Sequence, residues 1–345
     1  MNSSHDTSRY TVGWIAPMSL ELTAGLQLLE DRTTIERPGD DVKYNAGRIG
    51  PHFVVMVVCP RVGNEPASTV LANMRRSFPS IKHVLVVGIA GGVPAYGPNL
   101  EDQIVLGDVV VGVPHHGSGG VVHYEFGSWE GNNEFSVRSR TLHPSAALLT
   151  AVNHLRSAHM MERGSKIPQY LSELRMGLKK KWRQLYEDPG AENDHLFDDD
   201  YVHEYRNLTC EVRCDTARSL RRVDRGPEAE RETDEPEIHY GTIGSANAVV
   251  RSSARRNELR ATHKIICVEM EAAGVMSDYQ GLVIRGICDY ADSHKNDGWQ
   301  HYAAATAAAY AKGLSCFSHQ ANGRRRSLKK ENREGTRFIT LGLGL

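Results

Sequence analysis

Short apolar runs alternate along the chain with segments whose apolar residues recur every three or four positions. The apolar runs predict strands that are covered on both faces, and they occupy residues 10–15, 53–59, 84–89, 108–113, 265–268 and 282–288. The segments with helical spacing predict helices over residues 20–31, 68–78, 141–158, 272–279 and 301–318. This alternation predicts an α/β fold in which helices cover both faces of a mostly parallel sheet.

Two stretches break this pattern. Residues 33–46 are polar and contain Pro, Gly and Asp, which predicts a loop. Residues 160–238 are dense in charge and poor in apolar residues, which predicts an insertion that is helical over residues 167–186 and otherwise rich in loops. We therefore expect one domain over residues 10–320 that carries this insertion, with flexible tails over residues 1–9 and 321–345.

The formal net charge of the 345-residue chain is −1, so it has no overall field that would hold nucleic acid or an anionic membrane. No apolar run approaches the roughly 20 residues that span a bilayer, and the N-terminus lacks the apolar core of a signal peptide. Six cysteines in a chain of this length favour a reducing compartment over a disulfide scaffold. We expect a cytoplasmic protein, with a nuclear location left open, that acts without nucleic acid or membrane.

Ligands in such sheets bind beyond the carboxyl ends of the strands, which directs attention to four positions. Residues 88–92 (Gly-Ile-Ala-Gly-Gly) would let backbone N–H groups approach a ligand, although a structural turn explains them equally well. Glu269 and Glu271 flank a methionine at a predicted helix start, where an acid is favourable in any case. Asp289 ends another strand and Glu21 follows the first, and each alone could be an ordinary surface residue.

Taken together, these segments resemble the nucleoside phosphorylase and nucleosidase superfamily, and most closely a branch found as a domain in fungal proteins. The matching strings are residues 12–15, 47–50, 88–94, 106–111, 124–127, 268–274 (Val-Glu-Met-Glu-Ala-Ala-Gly) and 288–296 (Cys-Asp-Tyr-Ala-Asp-Ser-His-Lys-Asn). The resemblance covers about residues 11–318, apart from much of the insertion. It implies a three-layer α/β/α fold with a central mixed, mostly parallel sheet, assembly as a homo-oligomer, and no cofactor.

The resemblance also implies a role for each matching residue. Asp289 would protonate a purine base as it leaves, and Glu21 would orient and deprotonate the attacking water. Glu271 would bind the ribose 2′- and 3′-hydroxyls, and Met270 would pack against the sugar. The other residues expected to contact the substrate are Glu269, Ile89, Ala90, Gly91, Val249, Val250, Arg285 and Lys295. Such groups suit the breaking of an N-glycosidic bond, which passes through an oxocarbenium-like state.

The nucleophile is either water or phosphate. Phosphorylases of this superfamily hold phosphate with an arginine and a serine near the glycine-rich segment, and here those places hold Val86 and Ile89. The carboxylate of Glu21 would also repel an anion. Both features favour water. A missing positive charge could still come from one of three arginines, namely Arg48, Arg61 and Arg285.

The sequence therefore predicts a purine nucleosidase that hydrolyses an adenine nucleoside or nucleotide, with ATP as one candidate, to the free base and ribose or ribose phosphate. The alternatives are a phosphate-dependent purine nucleoside phosphorylase and a sensor that binds a nucleoside without cleaving it. Retention of Glu21, Glu271 and Asp289 argues against the sensor. A nucleotide would need cations beyond the 5′-carbon, and the candidates are arginines of the insertion together with His115, His116, His123, His294 and Lys295.

His203, Cys210 and Cys214 form a separate group within the insertion. A structural zinc ion needs four ligands and is usually held by cysteines spaced more closely than these two. We therefore expect no metal here and assign the cysteines to ordinary thiols or a packing role, with a zinc site on these three residues as the alternative.

Overall fold

A ten-stranded mixed sheet forms the centre of the molecule in a computed structural model, which describes residues 6–94, 103–131, 133–161, 164–204, 208–220, 222 and 235–316. The strands are β1 (Val12–Ala16), β2 (Glu30–Glu36), β3 (Lys43–Ile49), β4 (His52–Val58), β5 (His83–Gly92), β6 (Val109–Gly112), β7 (Val121–His123), β8 (Gly127–Trp129), β9 (Phe135–Val137), β10 (Leu196–Phe197), β11 (Ser219–Leu220), β12 (Ile238–Ser245), β13 (Ile265–Glu269) and β14 (Leu282–Asp289). The helices are α1 (Ser19–Gln27), α2 (Asn64–Ser77), α3 (Ala146–Met161), α4 (Ile167–Met176), α5 (Lys180–Arg183), α6 (Cys210–Arg213), α7 (Ser253–His263), α8 (Ala272–Met276) and α9 (300–316).

The strand order in the large sheet is β13-β12-β6-β14-β5-β1-β4-β3-β2, with β7 paired beside β12. Neighbouring strands among β4, β1, β5 and β14 run parallel, as the apolar runs predicted. Strand β6 runs antiparallel to β14, and β13 pairs antiparallel with the end of β5. As a result, β5, β14, β6, β12 and β13 close into a ring. The central mixed sheet with its helices confirms the predicted α/β fold.

The main core lies along the central strands. Every residue of β1, β6 and β14 is buried, and removal of this apolar surface from water is the main favourable term in folding. Helix α9 approaches β14 so closely that a Cβ at Gly286 would overlap the carbonyl group of Ala303. This close contact buries the alanines of α9 and fixes the segment that links the end of β14 to the start of α9.

Residues 33–46 do not form the predicted loop. Strands β2 and β3 form an antiparallel hairpin that extends the sheet at its edge, and the helix predicted over residues 20–31 ends at Gln27. Within β2, Ile35 alone is buried. An edge strand that is solvated over most of its surface needs few apolar residues, so its sequence has the polar composition of a loop.

Other boundaries also differ from prediction. Helix α3 begins at Ala146 rather than at residue 141, because Pro144 disfavours helical backbone in the residue before it. Strand β5 continues through Gly91 and Gly92, which pair with β14 and β13. Strand β12 was not predicted, since its glycines interrupt the apolar run.

The insertion is packed on the same core as the main sheet. The helices predicted over residues 167–186 are confirmed by α4, α5 and the 3-10 helix that follows them. Helix α4 buries four apolar side chains in the main core. The Tyr186 hydroxyl donates to the carbonyl oxygen of Leu20 at 2.7 Å. This contact places the insertion beside α1, the helix that carries Glu21.

Within the described residues, every helix is too short or too polar to cross a bilayer. The N-terminal segment that was predicted as a flexible tail contains a 3-10 helix, Thr7–Arg9. The tail predicted over residues 321–345 lies outside the described residues.

Candidate active site

A cleft of about 230 Å³ opens at the carboxyl ends of the parallel strands. All twelve residues that the sequence indicated as catalytic or substrate-binding line this cleft. They are Glu21, Ile89, Ala90, Gly91, Val249, Val250, Glu269, Met270, Glu271, Arg285, Asp289 and Lys295. The residues at the ends of β1, β5 and β14 come together because the carboxyl ends of these parallel strands meet at one edge of the sheet. The residues that follow β13 join them because β13 pairs antiparallel with the end of β5.

Glu21 reaches the cleft from the first turn of α1. Its Oε1 accepts the amide N–H of Ile89 at 2.7 Å, and its Oε2 accepts that of Met18 at 2.5 Å. Gly88 permits this approach, because a Cβ at that position would overlap both the Glu21 carboxyl group and the Arg285 guanidinium group. The glycine-rich segment therefore forms the surface on which Glu21 is held, rather than an isolated turn.

Burial raises the pKa of Glu21 to about 8, since the residue is only 3% exposed. The positive charge of Arg285 and the amide of Ile89 oppose this shift, whereas the nearby Glu271 carboxylate adds to it. A carboxyl group that titrates near neutral pH can both accept and return a proton, which is the property required of a general base.

Arg285 is fully buried beneath the cleft and joins the two glutamates of the β13–α8 segment. Its Nη2 donates to Glu269 and, at 3.2 Å, to Glu271, and its Nη1 donates to the carbonyl oxygen of Ile89 at 3.3 Å. Glu269 also accepts the amides of Glu271 and Ala272 at the start of α8. Glu269 and Arg285 are thus committed to contacts within the protein, so their influence on a ligand passes through Glu271 and Ile89.

Glu271 carries this network to the cleft. Its Oε1 accepts the amide N–H of Gly63 at 3.0 Å, which fixes the carboxyl group relative to the start of α2. Burial raises the pKa of Glu271, and the charge of Arg285 opposes that shift. Met270 is half-buried beside it and lines the cleft. A carboxylate accepts hydrogen bonds only, so Glu271 is suited to hold hydroxyl groups of a ligand.

Asp289 ends β14 directly opposite Gly91 in the strand register. Its Oδ1 accepts the amide N–H of Ala291 at 2.9 Å, and its Oδ2 accepts a hydrogen bond from Lys295 Nζ at 2.7 Å. A Cβ at Gly91 would lie 2.8 Å from Asp289 Oδ1, so this glycine leaves space for the carboxyl group. Burial alone would lower the pKa of Lys295, but the charge of Asp289, its hydrogen bond to Lys295 and the nearby Cys288 together outweigh burial and raise that pKa.

Glu21 and Asp289 meet β5 at two separate points, near Gly88 and near Gly91. A strand rises about 3.3 Å per residue, so these points are roughly 10 Å apart. Two carboxyl groups therefore face the same cleft from separated positions.

The cations considered for phosphate as the nucleophile do not form a site for it within the described part of the cleft. Arg48 lies on β3, next to the edge strand β2, and is paired with two acids of β2. Arg61 is exposed and lies outside the cleft lining. Among the described residues that line the cleft, the cations are Arg285 and Lys295, and both are paired with carboxyl groups. The described part of the cleft therefore offers an anion little uncompensated positive charge.

The histidines considered for a phosphate-binding wall also lie elsewhere. Of the described residues that line the cleft, none is His115, His116, His123 or His294. His294 packs instead with His203, Cys210 and Cys214. The three residues that the sequence singled out in the insertion thus gain a fourth neighbour from the segment after β14, a proximity that sequence spacing did not reveal.

Seven residues line the cleft without having been predicted, namely Pro17, Met18, Val62, Ala248, Val268, Cys288 and Gln300. Most are close sequence neighbours of predicted residues, and that nearness was the one available signal. Val62 and Gln300 come from other segments, and their place at the cleft depends on how α2 and α9 pack on the sheet.

No protein-family model matches the chain. A nucleotide-binding leucine-rich repeat (NLR)-like protein of Hyaloscypha variabilis is 37% identical over 311 residues, which cover 89% of this chain and 29% of that protein. The ATP nucleosidase Cap17 of Escherichia coli is 40% identical over 77 residues, which cover 21% of this chain and 15% of that protein. The chain thus spans less than a third of the length of either relative.

Solved structures with a similar fold cover most of the chain. Futalosine hydrolase of Helicobacter pylori matches with a TM-score of 0.55 and 15% identity, over 89% of this chain and 97% of the hydrolase. The 5′-methylthioadenosine/S-adenosylhomocysteine nucleosidase of Neisseria meningitidis matches with a TM-score of 0.54 and 17% identity, over 89% of this chain and 98% of the nucleosidase. These matches and the motifs at the strand ends agree, and the chain has the fold of the nucleoside phosphorylase and nucleosidase superfamily.

Proposed function

We propose that this chain is a purine nucleosidase, which uses water to split the N-glycosidic bond of an adenine nucleoside or nucleotide. The products are the free base and ribose or ribose phosphate. One observation carries the proposal: the carboxyl groups of Glu21 and Asp289 line the same cleft, Glu21 beside Gly88 and Asp289 beside Gly91. Glu271, which accepts a hydrogen bond from the buried Arg285, lines the cleft as well. A pair of carboxyl groups that flank a sugar is a common means of opening a glycosidic bond.

Each carboxyl group has a distinct task in this reaction. The bond between C1′ and the base nitrogen breaks, and the base leaves as a neutral molecule because Asp289 supplies a proton to its ring. The sugar develops oxocarbenium character, and a water held by Glu21 forms the new C1′–O bond while Glu21 takes the proton that the water loses. Glu271 accepts hydrogen bonds from the ribose hydroxyls and so holds C1′ in line with the water.

Water is favoured over phosphate as the nucleophile by the charges around the cleft. The positions near β5 that could have held phosphate are Val86 and Ile89, and Val86 is fully buried. Arg285 is already shared between two glutamates. An incoming phosphate would meet Glu21 and Glu271 without an uncompensated cation among the described cleft residues, which is electrostatically unfavourable.

The choice of an adenine nucleotide is supported by the local likeness to the ATP nucleosidase Cap17. A triphosphate needs cations near the cleft rim. Arg61 and Arg251 are exposed and adjoin the lining residues Val62 and Val250, so we assign them to the 5′-phosphates. We expect Arg61→Ala and Arg251→Ala to raise KM for ATP and to leave KM for adenosine nearly unchanged.

The experiment that tests the proposal is chromatography of products after incubation with adenosine, inosine, guanosine, AMP and ATP, each with and without phosphate. We expect free base to appear without phosphate. Base that appears only with phosphate would identify a phosphorylase instead. A complete lack of cleavage, together with measurable nucleoside binding, would identify a sensor.

A further inference from the structure

Four side chains that can ligate a metal converge outside the cleft. His203, Cys210 and Cys214 come from the insertion, and His294 comes from the segment between β14 and α9. Their ligand atoms all lie within 4.8 Å of one another. We propose that these four side chains bind a structural zinc ion, which ties the insertion to the end of the catalytic strand β14.

The distances between nitrogen and sulfur atoms fit a tetrahedral ion. His203 Nδ1 lies 3.0 Å from Cys214 Sγ and 3.6 Å from Cys210 Sγ. His294 Nδ1 lies 3.4 Å from Cys214 Sγ and 3.6 Å from Cys210 Sγ. A tetrahedral zinc ion with ordinary bond lengths holds such nitrogen and sulfur atoms about 3.6 Å apart. Three of the four nitrogen–sulfur distances are therefore close to the edge length of a zinc coordination tetrahedron, and the shortest, 3.0 Å between His203 Nδ1 and Cys214 Sγ, would lengthen on binding.

Both imidazole rings are oriented as metal ligands usually are. His203 Nε2 lies 2.9 Å from the carbonyl oxygen of Leu208, and His294 Nε2 lies 2.9 Å from the carbonyl oxygen of Tyr201. A carbonyl oxygen can only accept, so Nε2 carries the proton in each ring. The Nδ1 lone pair of each ring therefore points at the two sulfur atoms. This arrangement, in which the remote nitrogen donates to a carbonyl group, fixes the ring of a metal-bound histidine.

The cluster lies against an aromatic ring and a short helix. The ring of His294 stacks on that of Phe197 with a centroid separation of 3.9 Å, and both residues are buried. The cysteines lie at the two ends of the short helix α6, where Cys214 donates its amide to the carbonyl oxygen of Cys210 at 2.8 Å. Two thiolates and two imidazoles favour zinc over magnesium or calcium, which prefer oxygen ligands.

The site would be structural, because four protein ligands leave no open coordination position. The proposed site also lies next to a residue that contacts Asp289 in the cleft. His294 directly precedes Lys295, which contacts Asp289, and the His203 amide donates to Ser293 Oγ at 2.9 Å. A zinc ion at this point would hold the insertion and the Asp289–Lys295 segment in a fixed relation.

The test is the metal content of the full chain, expressed with added zinc and purified without chelator. We expect a single zinc ion per chain by mass spectrometry of metals, and tetrahedral thiolate-to-cobalt absorption bands after exchange for Co²⁺. Cys210→Ser and Cys214→Ser should each lose the zinc and the cobalt bands. Cys316→Ser, which changes a partly buried cysteine outside the cluster, should keep both.

Substoichiometric zinc in the wild-type protein, with no thiolate bands for cobalt, would overturn the proposal even if every variant failed to fold. Zinc that persists in the Cys210→Ser variant at the wild-type amount would overturn it as well. Metal content is measured without any substrate, so this result is separate from the outcome of the nucleosidase assay.

Discussion

Lys295 Nζ donates to Asp289 Oδ2 at 2.7 Å, so the carboxyl group assigned as the acid is held by an ammonium group. Lys295 is a nearer side-chain donor to Asp289 than Cys288, whose Sγ lies 3.2 Å from Oδ2, and it fixes the orientation of the carboxyl group. We expect Lys295→Met to lower kcat about 10²-fold and to change KM much less, because the acid would lose the contact that positions it. Steady-state kinetics on the best substrate measure both constants.

Lys312→Met is the matched control. Lys312 is also mostly buried and ion-paired, with Glu173, but it lies toward the far end of α9. This variant should keep the wild-type kcat. Equal losses in the two lysine variants would show that an ion pair on this side of the molecule matters for stability rather than for catalysis.

Asp289→Asn should remove turnover while leaving the fold intact. The amide oxygen of asparagine can still accept from Ala291, but the side chain cannot deliver the proton that the leaving base needs. We expect kcat to fall about 10³-fold or more, with nucleoside binding preserved in calorimetry. The control is Asp278→Asn, which makes the same chemical change at an exposed residue just after α8 and should be neutral. A wild-type rate for Asp289→Asn would remove this residue from the site.

Gly88→Ala tests whether activity depends on the position of the Glu21 carboxyl group against β5. The added Cβ would overlap the Glu21 carboxyl group and the Arg285 guanidinium group, so one of them must move. We expect a loss of activity of about 10²-fold, because a small displacement of a catalytic group is enough to cause it.

Gly241→Ala supplies the comparison for this change. Gly241 also lies in a central strand, but its added Cβ would meet the end of the Ile266 side chain at 2.9 Å, which can shift. This variant should retain activity and most of its stability. Full activity of Gly88→Ala would contradict the assigned position of Glu21.

The raised pKa of Glu21 predicts a pH dependence of stability. Burial raises this pKa from 4.5 in an unfolded chain to about 8, so the folded protein holds a proton that the unfolded chain releases in this range. The free energy of unfolding of the wild type therefore falls as the pH rises from about 4.5 to 8, through this group. The groups that act on Glu21 are the charged Arg285 and Glu271, with the titratable Cys59, Tyr186 and Cys288 nearby.

Glu21→Gln keeps the shape of the side chain and removes its titration. We expect the variant to gain stability relative to the wild type as the pH is raised from 5 to 8, in urea unfolding curves. A stability difference that is constant across this range would show that Glu21 titrates normally. The variant should be inactive at every pH, because glutamine cannot accept the proton of the attacking water.

The same group sets the pH dependence of catalysis. A base must be ionised to act, so kcat/KM should rise with pH and level off above about 8. The expected profile is measured between pH 6 and 9 with the best substrate. A rate that falls through this range would indicate that Glu21 acts in its protonated form.

The sequence by itself determined the class of fold and indicated twelve of the residues that line the cleft. Continuous apolar runs at β4, β5 and β14 require burial on both faces, and that requirement alone places them in the middle of a sheet. The rule that ligands bind beyond the carboxyl ends of the strands directed attention to both Glu271 and Asp289. The pairing of β13 antiparallel to the end of β5, which brings Glu271 to the cleft, could not be predicted from the sequence.

Only the tertiary structure decided how each of these residues is engaged. That Glu269 and Arg285 hold each other, and that Glu21 rests on the Ile89 amide, depends on contacts between distant parts of the chain. The hairpin of β2 and β3 was not predicted, because most residues of the edge strand β2 are exposed to solvent and its sequence therefore has no apolar pattern. The sequence singled out His203, Cys210 and Cys214 but not their proximity to His294, because spacing along the chain carries no information about contacts that only packing creates.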